Sequence, residues 1–460
     1  MPTFRRSTHS ASAFYTCLLL VPLAAGACGQ GQIGESTHEL DAVEVVPQAG
    51  TTPTPVLANK ELFVTDLSVV TDPKYVKFTK ISETSTSNAG AWSFGRLVEN
   101  IAATRNSSSV SQFVLNWLKL WEVDQTVNAQ TVLGRPTVRT LIIDPWKVSS
   151  GCTGMDSACV LDMSRAPFRL EAIAYRPDLR RVPTSTSPGH AGQGRFVFSA
   201  LGPSGAVLPF SVIFEYLLPI SERAGILQWA NAYHLLGRLP LGSIYNASLA
   251  WLTQKFSGRG AMTGRPNASA LSQLRSNENA LSPVWELREF VIAADGKMLF
   301  QDTVKNEPAA VHNGTALLGE YVDEFEASVL NDTASIPDTY KGVPFLAGSA
   351  LVPFRLLWNV RGTNSAANKR LALSTCSGCH LSETATLFLH VMPAEVRAKL
   401  SRLPPPTVRT PAVLSAFLQS ELSGPRILDY QVLLATPLPS IQDGPGKDHA
   451  DDADDDDDDD

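Results

Sequence analysis

The sequence of 460 residues predicts an α+β fold, with a mainly antiparallel sheet, packed helices and a small C-terminal helical module. Alternating apolar and polar residues, typical of strands, recur between short turns at residues 166–180, 194–198, 210–216 and 285–300. Asp295-Gly296 is a turn signal for a hairpin. Strands joined by short turns pair antiparallel, and helices must then cover the sheet.

The sequence begins with the pattern of a bacterial secretion signal, which we place at residues 1–27. Two arginines precede an apolar run over residues 13–24 and then small residues, the order found in signal peptides. The small residues before Cys28 resemble a lipobox, with Ala25 where leucine is usual. We expect cleavage before Cys28 and lipidation of its thiol, so that a lipid anchor holds an exported protein at the cell envelope, on the outer membrane. Cleavage that leaves Cys28 as a free thiol is the alternative.

Two low-complexity segments flank the predicted globular part. Residues 28–60 are rich in Gly, Gln, Thr and Pro and predict a flexible tether. Residues 436–460 predict a disordered acidic tail, because nine aspartates lie between positions 451 and 460. These nine negative charges exceed the formal net charge of −7, so the rest of the chain is close to neutral. We therefore expect no nucleic-acid binding.

Residues 61–336 form the predicted α+β body. Residues 61–80 alternate in polarity and predict a first strand. Residues 111–123 repeat apolar side chains at helical spacing, and this stripe is more typical of a packed core than of a cofactor surface. Further helices are predicted at residues 96–104, 227–236 and 244–256.

One cysteine pair lies within this body. Cys152 and Cys159 are seven positions apart, with Gly154 and Asp156 able to form a turn between them. In an exported protein we expect a disulfide between Cys152 and Cys159. Two free thiols are the alternative.

The most specific motif is Cys376-Ser377-Gly378-Cys379-His380, the CxxCH pattern through which c-type haem is attached. Two thiols three residues apart reach the two vinyl groups of one haem, and the adjacent histidine binds the iron. Six Cys and eight His in the chain give roughly 0.001 chance occurrences. We therefore expect covalently bound haem c on Cys376 and Cys379, with His380 as the ligand of the metal.

Three other interpretations of this cysteine pair stay open. The thiols could form a tight disulfide. They could form a redox pair, although the strand and helix of a thioredoxin-like site are missing from the surrounding sequence. They could also bind zinc together with His380 and His390.

Residues 337–435 predict a helical module around the motif, with helices at residues 381–391, 394–403 and 413–422. Along one continuous helix His380 and His390 would be about 15 Å apart and could not bind the same iron. Zinc would require this helix to break, which argues against zinc. The sixth iron position is left open between a vacant site, water and a methionine of the body: Met155, Met163 or Met298.

Five phrases of the sequence resemble a family of large exported proteins of myxobacteria and related bacteria. They are Gly-Ala-Trp-Ser-Phe-Gly at 90–95, Ala-Pro-Phe-Arg-Leu at 166–170, Gly-Arg-Phe-Val-Phe at 194–198, Trp-Glu-Leu-Arg-Glu-Phe at 285–290 and Cys-Ser-Gly-Cys-His-Leu-Ser-Glu-Thr at 376–384. The resemblance covers about residues 60–435 and implies a location in the envelope, but little about mechanism. Gln193 stands where the family pattern has Glu, which weakens any carboxylate function there.

Electron transfer through a single haem, with a redox partner protein, is the function that the sequence favours. A non-enzymatic structural or binding lipoprotein whose CxxC pair is a disulfide or metal site is the first alternative. A haem enzyme with an open iron position is the second. Gly-x-Ser-x-Gly, His-Glu-x-x-His and Walker motifs do not occur in the sequence, and no catalytic residue is assigned.

Overall fold

The computed structural model describes residues 55–436, apart from 83, 86, 332, 353–357 and 361–363. The predicted signal peptide, the predicted lipidation of Cys28, most of the tether and the acidic tail lie outside the described residues. Within them the predicted α+β class is confirmed, since helices pack against one large antiparallel sheet.

The described residues contain fourteen strands. In chain order they are β1 Phe63–Val64, β2 Gln125–Val127, β3 Gln130–Val132, β4 Phe168–Arg176, β5 Gln193–Leu201, β6 Val207–Leu217, β7 Leu271–Glu278, β8 Trp285–Ile292, β9 Leu299–Asp302, β10 Thr339–Tyr340, β11 Val343–Pro344, β12 Ala350–Val352, β13 Val391–Met392 and β14 Val413–Leu414. Eight of them form one sheet in the order β1-β4-β5-β6-β7-β8-β12, with β9 paired to the second half of β8. The other six form three two-stranded ribbons.

The described α-helices also number fourteen. They are α1 Ala58–Glu61, α2 Leu67–Val70, α3 Pro73–Val76, α4 Phe94–Ile101, α5 Ser107–Lys119, α6 Asp144–Ser149, α7 Ala224–Gly237, α8 Ser243–Ser257, α9 Ala316–Glu324, α10 Glu326–Leu330, α11 Ser365–Ser374, α12 Ala394–Leu400, α13 Ala416–Ser423 and α14 Pro425–Ala435. Several begin at a side chain that accepts a backbone N–H; Asn106 does so for α5 and Ser93 for α4.

The strand predicted at residues 61–80 is wrong over most of its length. Only β1 forms a strand there, and residues 67–70 and 73–76 form the short helices α2 and α3. Asp66 and Asp72 cap these helices by accepting the N–H groups of Ser68 and Lys74. Caps of this kind stabilise a helical turn locally, and here they override the alternation of polarity that suggested a strand.

The helix predicted at residues 381–391 is also wrong. The helical turn around the CxxCH motif ends at Ser382, and the chain then reverses through Ala385 and Phe388, whose φ angles are 52° and 64°. Such left-handed positions interrupt a right-handed helix. The following residues enter β13, which pairs with β14.

The two faces of the large sheet differ in chemistry. Side chains alternate along each strand, and directly paired residues share a face. One face therefore carries the aligned row Phe196, Phe214, Leu274 and Phe290, while the next row, on the opposite face, is Arg195, Glu215 and Gln273. The first face packs on α4, α5 and α8 through ring contacts such as Trp117 with Phe290, 6.0 Å between centroids. The second is the charged face.

The C-terminal segment covers the charged face and shares the core of the body. Glu395 of α12 pairs with Arg169 of β4 at 2.9 Å, and Asn277 of β7 donates to the carbonyl of Phe388 at 3.0 Å. Residues of both segments belong to one buried apolar cluster, including Tyr430 and Leu433 of α14. The predicted division into a body at 61–336 and a module at 337–435 stays a prediction, although the two segments bury apolar surface together.

Candidate cofactor site at the CxxCH turn

The CxxCH motif forms one helical turn directly after α11. Thr375 accepts the N–H of Gly378 through its hydroxyl oxygen at 3.0 Å, which caps the turn. Residues at positions i, i+3 and i+4 lie on one face of such a turn, so Cys376, Cys379 and His380 project together. A Cβ atom at Gly378 would lie 2.0 Å from the carbonyl oxygen of Ala372, so only glycine fits there.

A buried carboxylate fixes this turn from the loop after β9. Glu307 accepts the N–H of Ser377 at 3.1 Å, and the indole N–H of Trp358 donates to the hydroxyl of Ser377 at 2.9 Å. Burial raises the pKa of Glu307 to about 7, although the hydrogen bonds from Ser377 act in the opposite direction. The carboxyl therefore titrates close to neutral pH while it holds the CxxC backbone.

The imidazole of His380 is oriented by three neighbours on and beside the sheet. Its Nδ1 lies 2.8 Å from the carbonyl oxygen of Phe388, and its ring stacks on Trp285 at 5.5 Å between centroids. The amide Nδ2 of Asn277 lies 3.1 Å from the same Nδ1 and 3.0 Å from the carbonyl of Phe388. A carbonyl can only accept, so we assign the proton to Nδ1, with the amide of Asn277 donating to the carbonyl. Desolvation lowers the pKa of His380 to about 4, so the ring is neutral at pH 7 and Nε2 has a free lone pair.

His390 folds back onto the motif, contrary to the separation of about 15 Å expected along a continuous helix. Its ring centroid lies 4.4 Å from that of His380, and its Nε2 lies 3.3 Å from the Sγ of Cys379. Its Nδ1 contacts the hydroxyl of Ser415 at 2.7 Å. Desolvation holds the pKa of His390 well below its usual value. The geometric argument against His390 as a ligand therefore fails, because the helix ends at Ser382.

Both cysteines of the motif are free thiols. Desolvation raises the pKa of Cys379 to about 11 and that of Cys376 well above its usual value, so both are protonated near neutral pH. Arg176 and Arg426 act to lower the pKa of Cys379, and Arg275 acts in the same way on Cys376. The site therefore opposes free thiolates but has cations beside each sulfur.

Of these cations, Arg275 belongs to a network of ion pairs on the charged face. Glu215 lies 3.2 Å from Arg195 and 3.1 Å from Arg275, and Arg275 also pairs with Glu289. Burial acts to raise the pKa of Glu215, but Arg195 and Arg275 outweigh it and hold that pKa below its usual value. An ionised carboxylate thus stays among several guanidinium groups beneath the CxxCH turn.

The remaining predicted residues lie away from this turn. Cys152 and Cys159 are joined by a disulfide, with their Cα atoms 5.5 Å apart. Met155 and Met298 are exposed, and Met163 is buried in the large apolar cluster, against Gly95. None of these observations assigns a sixth iron ligand.

Four residues that shape the site were not predicted: Asn277, Glu307, Trp358 and Ser415. Asn277 lies on β7, which the sequence analysis did not predict as a strand, so nothing placed its amide near His380. Glu307 and Trp358 approach from loops about 70 and 20 positions before the motif. Ser415 lies inside the helix predicted at residues 413–422, but the structure begins this helix, α13, at Ala416 and makes Ser415 its cap, where the hydroxyl accepts the N–H of Leu418.

The donor set can be tested against haem. Two free thiols and a histidine whose Nδ1 contacts a backbone carbonyl are the donor types that a c-type attachment uses. His390 does not fit as the opposite ligand in this arrangement. Two imidazole nitrogens across one metal are separated by two bonds of about 2 Å each, and their ring centres by more than that. Each ring centre lies about 1 Å behind its nitrogen, so opposite ligands would have centres about 6 Å apart. The observed 4.4 Å between centroids is too short.

Three further observations limit the assignment. No group of three or more His, Cys, Asp or Glu side chains is arranged to hold a metal ion within the described part of the chain.

Among the helices of that part, none is both long and apolar enough to cross a membrane. Comparisons with protein-family models, curated proteins and solved structures find no match for this chain, so the resemblance to a myxobacterial family stays a prediction.

Proposed function

We propose that the chain is an exported lipoprotein of the bacterial cell envelope that carries one covalently bound c-type haem and transfers electrons. Cys376 and Cys379 would hold the haem through thioethers, and the Nε2 of His380 would bind its iron. Lipidated Cys28 would anchor the protein to the outer membrane, and a redox partner protein would exchange electrons with it. When bound, the haem supplies a reversible one-electron couple.

The observation that carries this proposal is the hydrogen bond from the Nδ1 of His380 to the carbonyl of Phe388, 2.8 Å long. With the proton on Nδ1, this contact orients the ring and would leave Nε2 as the donor to a metal. The spacing of Cys376, Cys379 and His380 along a helical turn supports thioether attachment on the side of this ring. Trp285 and the surrounding protein limit the access of water to the imidazole.

The test is a pyridine haemochrome spectrum of the full chain, exported together with cytochrome c maturation factors. We expect a c-type band in the wild type, no band in the Cys376→Ala/Cys379→Ala double variant, and an unchanged band in His390→Ala. Near-ultraviolet circular dichroism establishes that each variant is folded. A folded, exported wild-type protein without the band would contradict the proposal.

A second candidate is a non-enzymatic lipoprotein whose CxxC pair contributes to a metal site. The 3.3 Å separation of Cys379 Sγ and His390 Nε2 supports it. Bonds of about 2.3 Å to sulfur and about 2.0 Å to nitrogen at tetrahedral angles place two such ligand atoms about 3.5 Å apart. The His390→Ala variant separates the candidates: a metal site would lose its zinc in a metal analysis, whereas attachment of haem does not need His390.

A further inference from the structure

The outer side of helix α8 carries a stripe of apolar side chains that is open to solvent. Ile244 is 67% exposed and Trp251 is 51% exposed. They are seven positions apart, with the exposed Ala247 between them, so all three lie along one side of the helix. Single exposed apolar side chains are common on protein surfaces, whereas an aligned set of them indicates a contact surface.

Trp251 differs from the other tryptophans of the chain. The other seven are at most 9% exposed. Lys255, one turn further along the stripe, places its ammonium 3.6 Å from the centre of the Trp251 ring. Desolvation lowers the pKa of Lys255, and no carboxylate among the described residues acts to raise it. The helix thus presents an indole beside an ammonium group, a pair suited to the boundary between lipid headgroups and acyl chains.

The stripe begins beside the point where the tether joins the body. The hydroxyl of Tyr245, next to Ile244, donates to the carbonyl of Lys60 in α1 at 2.5 Å. The Nζ of Lys60 donates in turn to the carbonyl of Leu239, in the connection between α7 and α8, at 2.8 Å. The first described residue, Pro55, is three positions before α1. The start of α8 therefore lies next to the N-terminal end of the body.

The length of the tether places this end of the body within reach of a membrane. Residues 29–54 separate Pro55 from Cys28, the residue at which the proposed function places the lipid. Fully extended, at about 3.5 Å per residue, this segment spans roughly 90 Å, and a flexible chain of its length spans about 30 Å on average. A lipid on Cys28 would therefore keep the start of α8 close to a bilayer.

We propose that the outer side of α8 rests on the surface of a phospholipid bilayer, with Ile244 and Trp251 among the acyl chains and Lys255 at the phosphates. The inference rests on the lipid anchor of the proposed function, because the anchor holds this weakly binding stripe at high local concentration beside the membrane. Three aligned side chains supply far less area than the roughly 800 Å² that each partner of a stable protein interface buries. They suffice to orient a protein that is already anchored.

This contact would determine the direction in which the CxxCH turn faces. Phe256 of α8 contacts Phe196 on the apolar face of the large sheet, 6.0 Å between ring centroids. The CxxCH turn lies over the opposite, charged face, where Asn277 contacts His380. With α8 on the bilayer, the sheet separates the CxxCH turn from the lipid, and the turn faces the aqueous side, where a soluble redox partner can reach it.

Quenching of tryptophan fluorescence by brominated lipids tests the contact, because bromine quenches an indole only at close range. The full chain is bound to vesicles of phosphatidylcholine and phosphatidylglycerol with brominated acyl chains, and its emission is compared with that in unbrominated vesicles, which cancels any quenching by haem. We expect quenching in the wild type and none in Trp251→Phe, since the other tryptophans are buried in protein.

Ile244→Glu tests the stripe without changing the reporter. A carboxylate among the acyl chains is unfavourable, so the quenching of Trp251 should fall at least about threefold. Val148→Glu, at a similarly exposed position of α6, is the matched control and should be quenched as the wild type is. Near-ultraviolet circular dichroism establishes that both variants are folded. Equal quenching of folded Ile244→Glu and the wild type would overturn the proposal.

Mass spectrometry of the N-terminus measures the lipidation of Cys28 separately, so a failed anchor and a failed contact give different results. A lipidated, vesicle-bound protein without quenching would keep its anchor and overturn the contact of α8. Without lipidation, quenching on addition of vesicles at millimolar lipid would support the contact alone, and its absence would reject both. A sedimentation mass of two chains, with Trp251 shielded from acrylamide and from brominated lipid, would assign the stripe to a second copy of the chain instead.

Discussion

Phe214 and Glu215 are consecutive residues of β6 that point to opposite faces of the same sheet, and both are fully buried. Phe214 contacts the rings of Phe94 and Phe198 at 5.6 and 5.8 Å between centroids. Glu215 contacts Arg195 and Arg275. One strand thus supports an apolar core on one side and a charged layer beneath the CxxCH turn on the other.

The two faces have different energetic consequences. Burying a large apolar side chain stabilises a fold by about 1.5 to 3 kcal/mol, so each ring of the aromatic face contributes directly to stability. A buried ion pair loses solvation that its attraction only partly offsets, and a well-packed apolar replacement is often as stable. The charged face is therefore better explained by the electrostatics of the site above it than by stability.

The largest effect is expected on the aromatic face. Phe214→Ala should lower the free energy of unfolding by about 3 to 5 kcal/mol, because it removes a ring from a close-packed core and leaves a cavity. Urea unfolding followed by tryptophan fluorescence measures the change. The exposed Phe300 provides the control, and Phe300→Ala should change stability by about 0.5 kcal/mol or less. Equal losses at both positions would contradict the contrast between core and surface.

Glu215→Gln tests the opposite face at the adjacent position. We expect a loss of about 3 kcal/mol, because Arg195 and Arg275 lose a shared buried carboxylate. Glu215 also acts electrostatically on His380, so the variant should raise the reduction potential if haem is bound there. Phe214→Ala should leave that potential unchanged, since Phe214 faces the other side of the sheet. An unchanged reduction potential in folded Glu215→Gln would show that the charge of Glu215 does not act on the haem.

The same contrast explains which parts of the structure could be predicted from the sequence. Strands β4, β5, β6 and β8 and helices α5, α7 and α8 follow from local alternation or helical spacing, and all were predicted. Strand β7 was missed because polar residues appear on both of its faces, as in Ser272-Gln273 and Ser276-Asn277. The alternation of apolar and polar residues predicts a strand least well where the strand is buried against charged side chains.

Only the part of the site whose residues are close together in the sequence was predicted. The motif follows from the spacing of Cys376, Cys379 and His380 along the chain, and Gly378 suits the turn that carries it. The return of His390 depends on two left-handed residues, Ala385 and Phe388, which are not glycines and give no signal in the sequence. Contacts from Asn277 and Glu307 cross 103 and 70 positions, beyond any periodic pattern.

The smallest effect concerns pH and the carboxyl that holds the CxxCH turn. Burial raises the pKa of Glu307 to about 7 in the folded protein, above its ordinary value of 4.5. The folded state then binds the proton more tightly than the unfolded state, so stability is greatest below pH 4.5 and falls as pH rises towards 7. Burial raises the pKa of Glu278 in the same direction, to about 7, so the wild type should show both contributions.

Glu307→Gln removes the contribution of Glu307 to this pH dependence and leaves that of Glu278. The amide oxygen can still accept the N–H of Ser377, but the side chain no longer titrates. Between pH 5 and pH 7 we expect the wild type to lose about 2 kcal/mol more of its stability than this variant does. Glu320→Gln, at an exposed glutamate paired with Lys341, should keep the wild-type slope. Parallel slopes for wild type and Glu307→Gln in urea unfolding would mean that Glu307 titrates normally, and that the CxxCH turn is held without a raised pKa.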